Sequence, residues 1–180
     1  MAATEPAARP EVSLREVTKQ TVRRVTDLKL RPGQERFVAP NATSIAEAYF
    51  EPKAWFRAVY AGEEPVGFVM LYEDADGTGD FPLEYGRPLY FVWRFMIAGE
   101  HQGKGYGKRA MELVIEHVRD QPGAKELFLS VVPGEGSAEG LYRSLGFERT
   151  GRFEEGEAEM RLDLAPRTER RAAERPSVTK

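Results

Sequence analysis

Six residues in the middle of the chain are spaced for anion binding: Gln102, Gly103, Lys104, Gly105, Tyr106 and Gly107, followed by Lys108. Glycines between a strand and a helix bare backbone N–H groups at the positive end of the helix dipole, and this holds a phosphate. They also let a bulky anion come close to the main chain. Three known phosphate loops compete for this pattern. A Walker loop needs G-x-x-x-x-G-K-[ST]; here Gly103, Gly107 and Lys108 lie too close together, and Arg109 stands in the Ser/Thr place. A dinucleotide fingerprint fits Gly105-Tyr106-Gly107-Lys108-Arg109-Ala110, but the next apolar run ends in Val132-Pro133 without the carboxylate that would hold a ribose. The third pattern, [QR]-x-x-G-x-[GA], is filled by Gln102, Gly105 and Gly107. A plain glycine turn is the bland reading of the same residues.

The elements around this loop are equally legible. Leu89 to Ile97 (LYFVWRFMI) is aromatic and β-branched with no breaker, which predicts a buried strand. After the glycines, Ala110, Met111, Val114, Ile115 and Val118 recur at helical spacing, with Lys108, Arg109, Glu112, Glu116 and Arg119 on the other face. Leu127 to Val132 reads as the next strand, and a helical crossover makes it parallel to the first.

Composition narrows the class. The chain has 180 residues, enough for one domain, and a net charge of -3, which argues against nucleic acid as a partner. It has no cysteine, so disulfides, Cys-ligated zinc and a thiol nucleophile are excluded. That fits a cytoplasmic protein. His101 and His117 are its two histidines, so no multi-histidine metal site is expected. His117 reads as structural and His101 as solvated. No apolar run is long enough for a membrane span, and residues 1–10 have no apolar signal core.

The rest follows in order. Residues 1–11 read as a flexible tail and 165–180, charged and without core residues, as a disordered one. Val12 to Val17 alternates like a strand. Thr18 is placed to cap a helix carrying Val22, Val25 and Leu28. Ser44 and Glu47 fit a capping box, with Ile45, Ala48 and Tyr49 as the apolar face. Trp55–Ala61 and Val66–Tyr72 read as a hairpin across Gly62-Glu63-Glu64-Pro65. A long loop from Glu73 to Pro88 carries Glu73, Asp74, Asp76, Asp80 and Glu84 against Arg87. Such a loop is either a solvated connection or an acidic rim that attracts a polycation. It also resembles the start of a calcium loop, but Tyr85 stands where the bidentate Glu belongs, and no metal is expected. Ala138, Leu141, Tyr142 and Leu145 form a short helix ended by Gly146-Phe147, and Glu157 to Leu164 alternates as a last strand.

This order, the Gln102–Gly107 loop, and Ser137-Ala-Glu-Gly-Leu-Tyr-Arg-Ser-Leu-Gly-Phe147 together resemble the GCN5-related N-acetyltransferases over about Val12 to Leu164. The second motif is similar to N-x-x-A-x-x-[LF]-Y-x-x-x-G-F. It departs at Ser137, which keeps the power to cap, and at Gly140, which takes the usual Ala place. Phe37–Asn41, Ile45–Tyr49, Val66–Leu71, Trp93–Ile97 and Val132–Gly136 look more narrowly like the bacterial spermine/spermidine acetyltransferases.

The resemblance implies an α/β (α+β) fold: a mixed central sheet, flanked by helices, whose parallel central strands splay apart. It implies one acetyltransferase domain over 12–164, working as an enzyme with acetyl-CoA as cosubstrate. The acceptor it implies is a small-molecule amine, here a polyamine. Family members are often homodimers. The pyrophosphate would lie on Gln102 to Lys108, with Ser137 beside the cofactor. The pantothenate arm would pair with the backbone of Phe95, Met96 and Ile97, and a backbone N–H near Met96 or Ile97 would meet the oxyanion. Tyr142 stands at the family's general-acid position; as a residue alone it reads equally as a core tyrosine. The base is open: the Trp93-Arg94 region has no carboxylate, which leaves a water relay or Glu47, Glu84 or Tyr85 as acceptor-side groups. Each of these three is also readable as a solvated surface residue.

Overall fold

The structure, a computed structural model, describes residues 10–80 and 85–165. Its strands are β1 Val12–Arg15, β2 Ala54–Ala61, β3 Glu64–Asp74, β4 Leu89–Ile97, β5 Glu126–Val131, β6 Glu148–Glu154 and β7 Glu157–Asp163. Its helices are α1 Val22–Thr26, α2 Asn41–Phe50, α3 Tyr106–Arg119 and α4 Glu139–Ser144. The strands form one seven-stranded sheet in the order β1-β2-β3-β4-β5-β7-β6. β4 and β5 are parallel, with Phe91 beside Phe128 and Val92 beside Leu129. β1 runs antiparallel to β2, and β7 antiparallel to both β5 and β6. This is the mixed sheet flanked by helices that the resemblance implies.

By their contacts the described residues divide into two units: those up to Met70 with Arg94–Leu113, and those of Leu71–Trp93 with those from Val114 to Ala165. In the first, Val12, Val59, Ala61, Val66, Ile97 and Ala110 make a cluster, with Leu14, Phe95, Tyr106 and Leu113 against it. In the second, Tyr72, Leu89, Phe91 and Phe128 pack with Tyr85. Along β3 the residues Val66 to Leu71 are all buried or backbone-packed, the signature of a strand covered on both faces. On α3 all five predicted apolar residues are buried. At roughly 1.5–3 kcal/mol per large buried side chain, that face accounts for the helix's position.

Local corrections are informative. Helix α1 starts at Val22, later than expected: Thr18 contributes its backbone carbonyl to Val22 N–H at 2.8 Å, and its own N–H donates to Thr21 Oγ1 at 2.8 Å. Leu28 lies past its end. Helix α2 starts at Asn41, so Ser44 is not its cap; its buried hydroxyl donates back to the Pro40 carbonyl at 3.2 Å. Asn41 is buried and donates to the Val25 carbonyl at 2.9 Å, which ties α2 to α1. Tyr49, expected on the apolar face, is exposed. His101 is mostly enclosed rather than solvated, beside the Tyr106 ring. Strand β6 was not expected; every residue in it is exposed, so it carries no apolar period to read. Residues 1–9 and 166–180, most of the two expected tails, lie outside the described residues. Among the described residues no helix is long and apolar enough to cross a membrane.

Candidate active site

The phosphate loop is built as its glycines require. A 3₁₀ turn over Gly99–His101 leads from β4 to Gln102. Gly103 and Gly105 then take φ of 79° and 86°, a region that L side chains rarely adopt. A Cβ at Gly103 would meet nothing within 4 Å, so the loop is open there. The first bond of α3 runs from Arg109 N–H to the Gly105 carbonyl at 3.2 Å. The N–H groups of Gly105, Tyr106, Gly107 and Lys108 are therefore the ones a helix leaves pointing out of its first turn. Lys104 and Lys108 are exposed and add positive charge. Orphan donors, a helix dipole and two lysines fit the pyrophosphate of acetyl-CoA.

The loop is moored from a direction that the sequence did not indicate. The side-chain amide of Gln102 donates to the Ile97 carbonyl at 2.9 Å and to Gln34 Oε1 at 2.8 Å. Gln34 Oε1 also accepts the Arg31 N–H at 3.2 Å. Gly99 donates its N–H to the Lys29 carbonyl at 2.8 Å and accepts from Arg31 Nε at 3.2 Å. So the segment after α1 grips both ends of the turn before the glycines. The Gln102 side chain serves the loop's shape, and its carboxamide donors are occupied by protein.

The end of β4 supplies the other cofactor candidates. Met96 and Ile97 are buried, and Phe95 is half-buried. Gly67 on β3 faces them: a Cβ there would overlap the Met96 carbonyl. Ala98 N–H donates to the Val66 carbonyl at 2.9 Å.

In the second unit, Tyr142 is 6% exposed on α4, its ring 5.8 Å from that of Phe147. Its carbonyl accepts the Leu145 and Phe147 N–H groups at 3.0 and 3.1 Å, the helix ending at Gly146 with φ 96°. Burial pushes the Tyr142 hydroxyl well above its ordinary range, so it is a neutral proton donor at physiological pH. Ser137 does not occupy the cap position, which is Ala138, but its Oγ accepts the Glu139 N–H at 3.3 Å. Glu139 binds Arg149 at 2.7 Å and Arg143 at 2.9 Å, so α4 is fastened to β6. These two arginines hold the Glu139 carboxyl down at about 2.

The acceptor-side candidates are mostly engaged. Glu47 pairs with Arg94 of β4 at 3.2 Å. Tyr85 packs edge-on against Phe91 and Phe128, with centroids 6.2 and 5.4 Å away. Burial and a hydrogen bond to Glu159 raise its hydroxyl to about 12, so it is no base at neutral pH. Glu84 lies outside the described residues. The acidic loop is wired locally. Glu73 bonds His117 at 2.7 Å, buried Asp74 forms an ion pair with Arg87 at 2.9 Å and accepts the Gly79 N–H at 3.0 Å, and Asp76 accepts from Thr78. The polycation rim is thus largely spent on the protein's own partners.

Comparison with known proteins gives the family. The family model for the acetyltransferase (GNAT) family matches residues 22–147. The spermine/spermidine N(1)-acetyltransferase of Bacillus subtilis (strain 168) is 27% identical over 151 residues, 79% of this chain and 91% of that protein. N-acetyltransferase 8B of Homo sapiens is 38% identical over 60 residues, 33% of this chain and 26% of that protein. Among solved structures, aminoglycoside acetyltransferase AAC(6')-Ib in complex with coenzyme A has TM-score 0.68 at 21% identity, covering 85% of this chain and 95% of that one. A Bacillus subtilis acetyltransferase in complex with CoA has TM-score 0.59 at 16% identity, covering 87% and 100%. At these identities the structural likeness is one of fold.

Proposed function

Because the chain belongs to the acetyltransferase (GNAT) family and is an acetyl-CoA-dependent N-acetyltransferase, we propose that its acceptor is a polyamine, spermine or spermidine. The observation that carries this is the 27% identity to the Bacillus subtilis spermine/spermidine enzyme, which runs through 91% of that protein. We assign the chemistry to one domain over residues 12–164, working in the cytoplasm, with a homodimer as its form.

In this reading the Gln102–Lys108 loop binds the pyrophosphate of acetyl-CoA. The backbone of Phe95, Met96 and Ile97 receives the extended arm. Acetyl-CoA supplies an activated acyl carbon. The acceptor ammonium, with a pKa near that of lysine at roughly 10, first gives up a proton to water. Its nitrogen then forms the C–N bond as the C–S bond breaks. A backbone N–H near Met96 or Ile97 meets the charge on the carbonyl oxygen. Tyr142 keeps its proton until the sulfur leaves and delivers it there, and the remaining excess proton of the acetylated nitrogen passes through water to restore the Tyr142 hydroxyl. Glu47, paired with Arg94, shapes the acceptor side and does not serve as the base.

A thiol-release assay with acetyl-CoA against spermine, spermidine, putrescine, kanamycin and a short peptide tests the acceptor. Release with spermine or spermidine is expected. Release with kanamycin or the peptide alone retires the polyamine and leaves the acetyltransferase intact.

A further inference from the structure

Asn41 opens α2 with only 3% of its surface exposed. A buried amide is expected to spend its polar atoms on partners. Its Nδ2 carries two protons, and they go to two other elements. One bond runs to the carbonyl of Val25 on α1 at 2.9 Å. The other runs to the thioether Sδ of Met96 on β4 at 3.7 Å. A methionine side chain has three rotatable bonds and packs adaptably. A donor on its sulfur singles out one of its conformations. Two residues back on β4, Arg94 pairs with Glu47 at 3.2 Å, so α2 meets the end of this strand at two points.

Met96 is where a fixed conformation matters. Its carbonyl faces β3, where a Cβ on Gly67 would overlap it. Ala98 N–H, two residues on, also faces β3 and donates to the Val66 carbonyl at 2.9 Å. Backbone groups alternate along a strand, so Ile97 turns its own the other way, and its carbonyl accepts the Gln102 amide at 2.9 Å. The Met96–Ile97 peptide is one planar trans unit. With the Met96 carbonyl on β3, the Ile97 N–H is turned away from β3, into the side left open for a ligand in the reading above.

We propose that Asn41 is a positioning residue for acetyl transfer: by holding the Met96 thioether it fixes the Met96–Ile97 peptide and aims the Ile97 N–H at the thioester oxygen. Turning that peptide swings the Met96 Cα–Cβ bond and draws Sδ away from the amide. The amide is itself anchored on Val25, which is fully buried. Asn41 acts through Met96 and touches neither cofactor nor acceptor. This rests on the seating of acetyl-CoA along β4 proposed above, and not on which amine is acetylated.

Infrared difference spectra of carbonyl-labelled acetyl-CoA bound to the full-length enzyme test this without any acceptor. A donor polarises the thioester carbonyl and lowers its stretching frequency. The lowering is expected in the parent and is expected to be lost in Asn41→Leu and in Met96→Leu. Acetyl-CoA affinity by calorimetry should stay within about twofold, while turnover, with spermine or kanamycin according to which releases thiol, falls about two- to tenfold. The double variant should fall no further than the worse single one, because the two side chains share one bond. Met96→Leu conserves apolar volume and removes the acceptor. In Asn41→Leu the Val25 carbonyl still accepts the Leu28 N–H at 3.4 Å. Should that variant melt early, Met96→Leu decides alone. A lowering kept in Met96→Leu overturns the proposal. Losses that multiply in the double variant overturn it too, since Asn41 then serves the fold only. No lowering in the parent removes the β4 seating and this proposal with it, while thiol release with spermine judges the polyamine reading separately.

Discussion

Gln34 and Gln102 are joined side chain to side chain at 2.8 Å across 68 positions of sequence, and this bond fastens the phosphate loop to the segment after α1. Gln34 works only as an acceptor here, taking the Gln102 amide and the Arg31 N–H on one oxygen. Gln34→Met keeps the length and removes the acceptor. A hydrogen bond is worth about 0.5–1.5 kcal/mol, so the Michaelis constant for acetyl-CoA should rise about two- to tenfold. Turnover at saturation should hold, because the chemistry lies elsewhere. Gln34→Glu retains the acceptor and should recover most of the loss. Equal constants for Gln34→Met and the parent enzyme would show that the bond positions nothing.

Tyr142→Phe removes one hydroxyl from a buried ring and leaves its packing on Phe147. If that hydroxyl is the acid, turnover should fall by about two to four orders of magnitude. CoA binding, followed by calorimetry, should stay within about twofold. The pH profile gives a second check. The folded-state value of this phenol is raised, so its proton is held through the ordinary tyrosine range and lost only above it. Activity should climb with pH as the acceptor amine loses its proton, with no fall attributable to Tyr142 below about pH 10. An unchanged rate for Tyr142→Phe sinks the assignment.

Glu139 ties α4, which carries Tyr142, to Arg149 of β6. Its folded-state carboxyl sits at about 2, below the ordinary 4.5, because Arg149 and Arg143 bind it. A lowered value means stability present above the ordinary carboxylate range and lost as pH falls toward about 2. Melting temperature against pH should therefore drop more steeply between about pH 4.5 and 2 in the parent than in Glu139→Gln. Added salt should shrink the difference, since the pairs lie at the surface. Parallel curves would mean that the network contributes nothing.

Gly67→Ala tests the packing of β3 on β4. The added methyl would overlap the backbone carbonyl of Met96 and lie 2.7 Å from Ile97 Cδ1. A backbone atom cannot swing aside as a side chain does. Overpacking of this kind costs about 1–3 kcal/mol. The denaturant midpoint should fall accordingly, and acetyl-CoA affinity with it, since Met96 and Ile97 are the proposed seat of the cofactor arm. A variant as stable as the parent would mean that the strands part at no cost.

The central strand, the glycine loop and α3 were legible because each has a dense local code: an apolar run, three glycines at fixed spacing, and a 3.6-residue period. The short helix that carries Tyr142 was legible through its motif, with Gly146-Phe147 marking the helix end. Local patterns decided those pieces because short-range sterics and backbone hydrogen bonds act within a few residues. Tertiary structure decided what depends on distant partners. Ser44 lost its cap role because buried Asn41 reaches the Val25 carbonyl and starts α2 a turn earlier. The acidic loop lost its free charge because His117 and Arg87 come to Glu73 and Asp74. Strand β6 has no apolar alternation, so only its pairing with β7 makes it a strand. The grip of Gln34 on Gln102 and the approach of Arg152 to Tyr85 arise from residues ordinary in sequence, since a hydrogen bond or a cation on a ring depends on position in space.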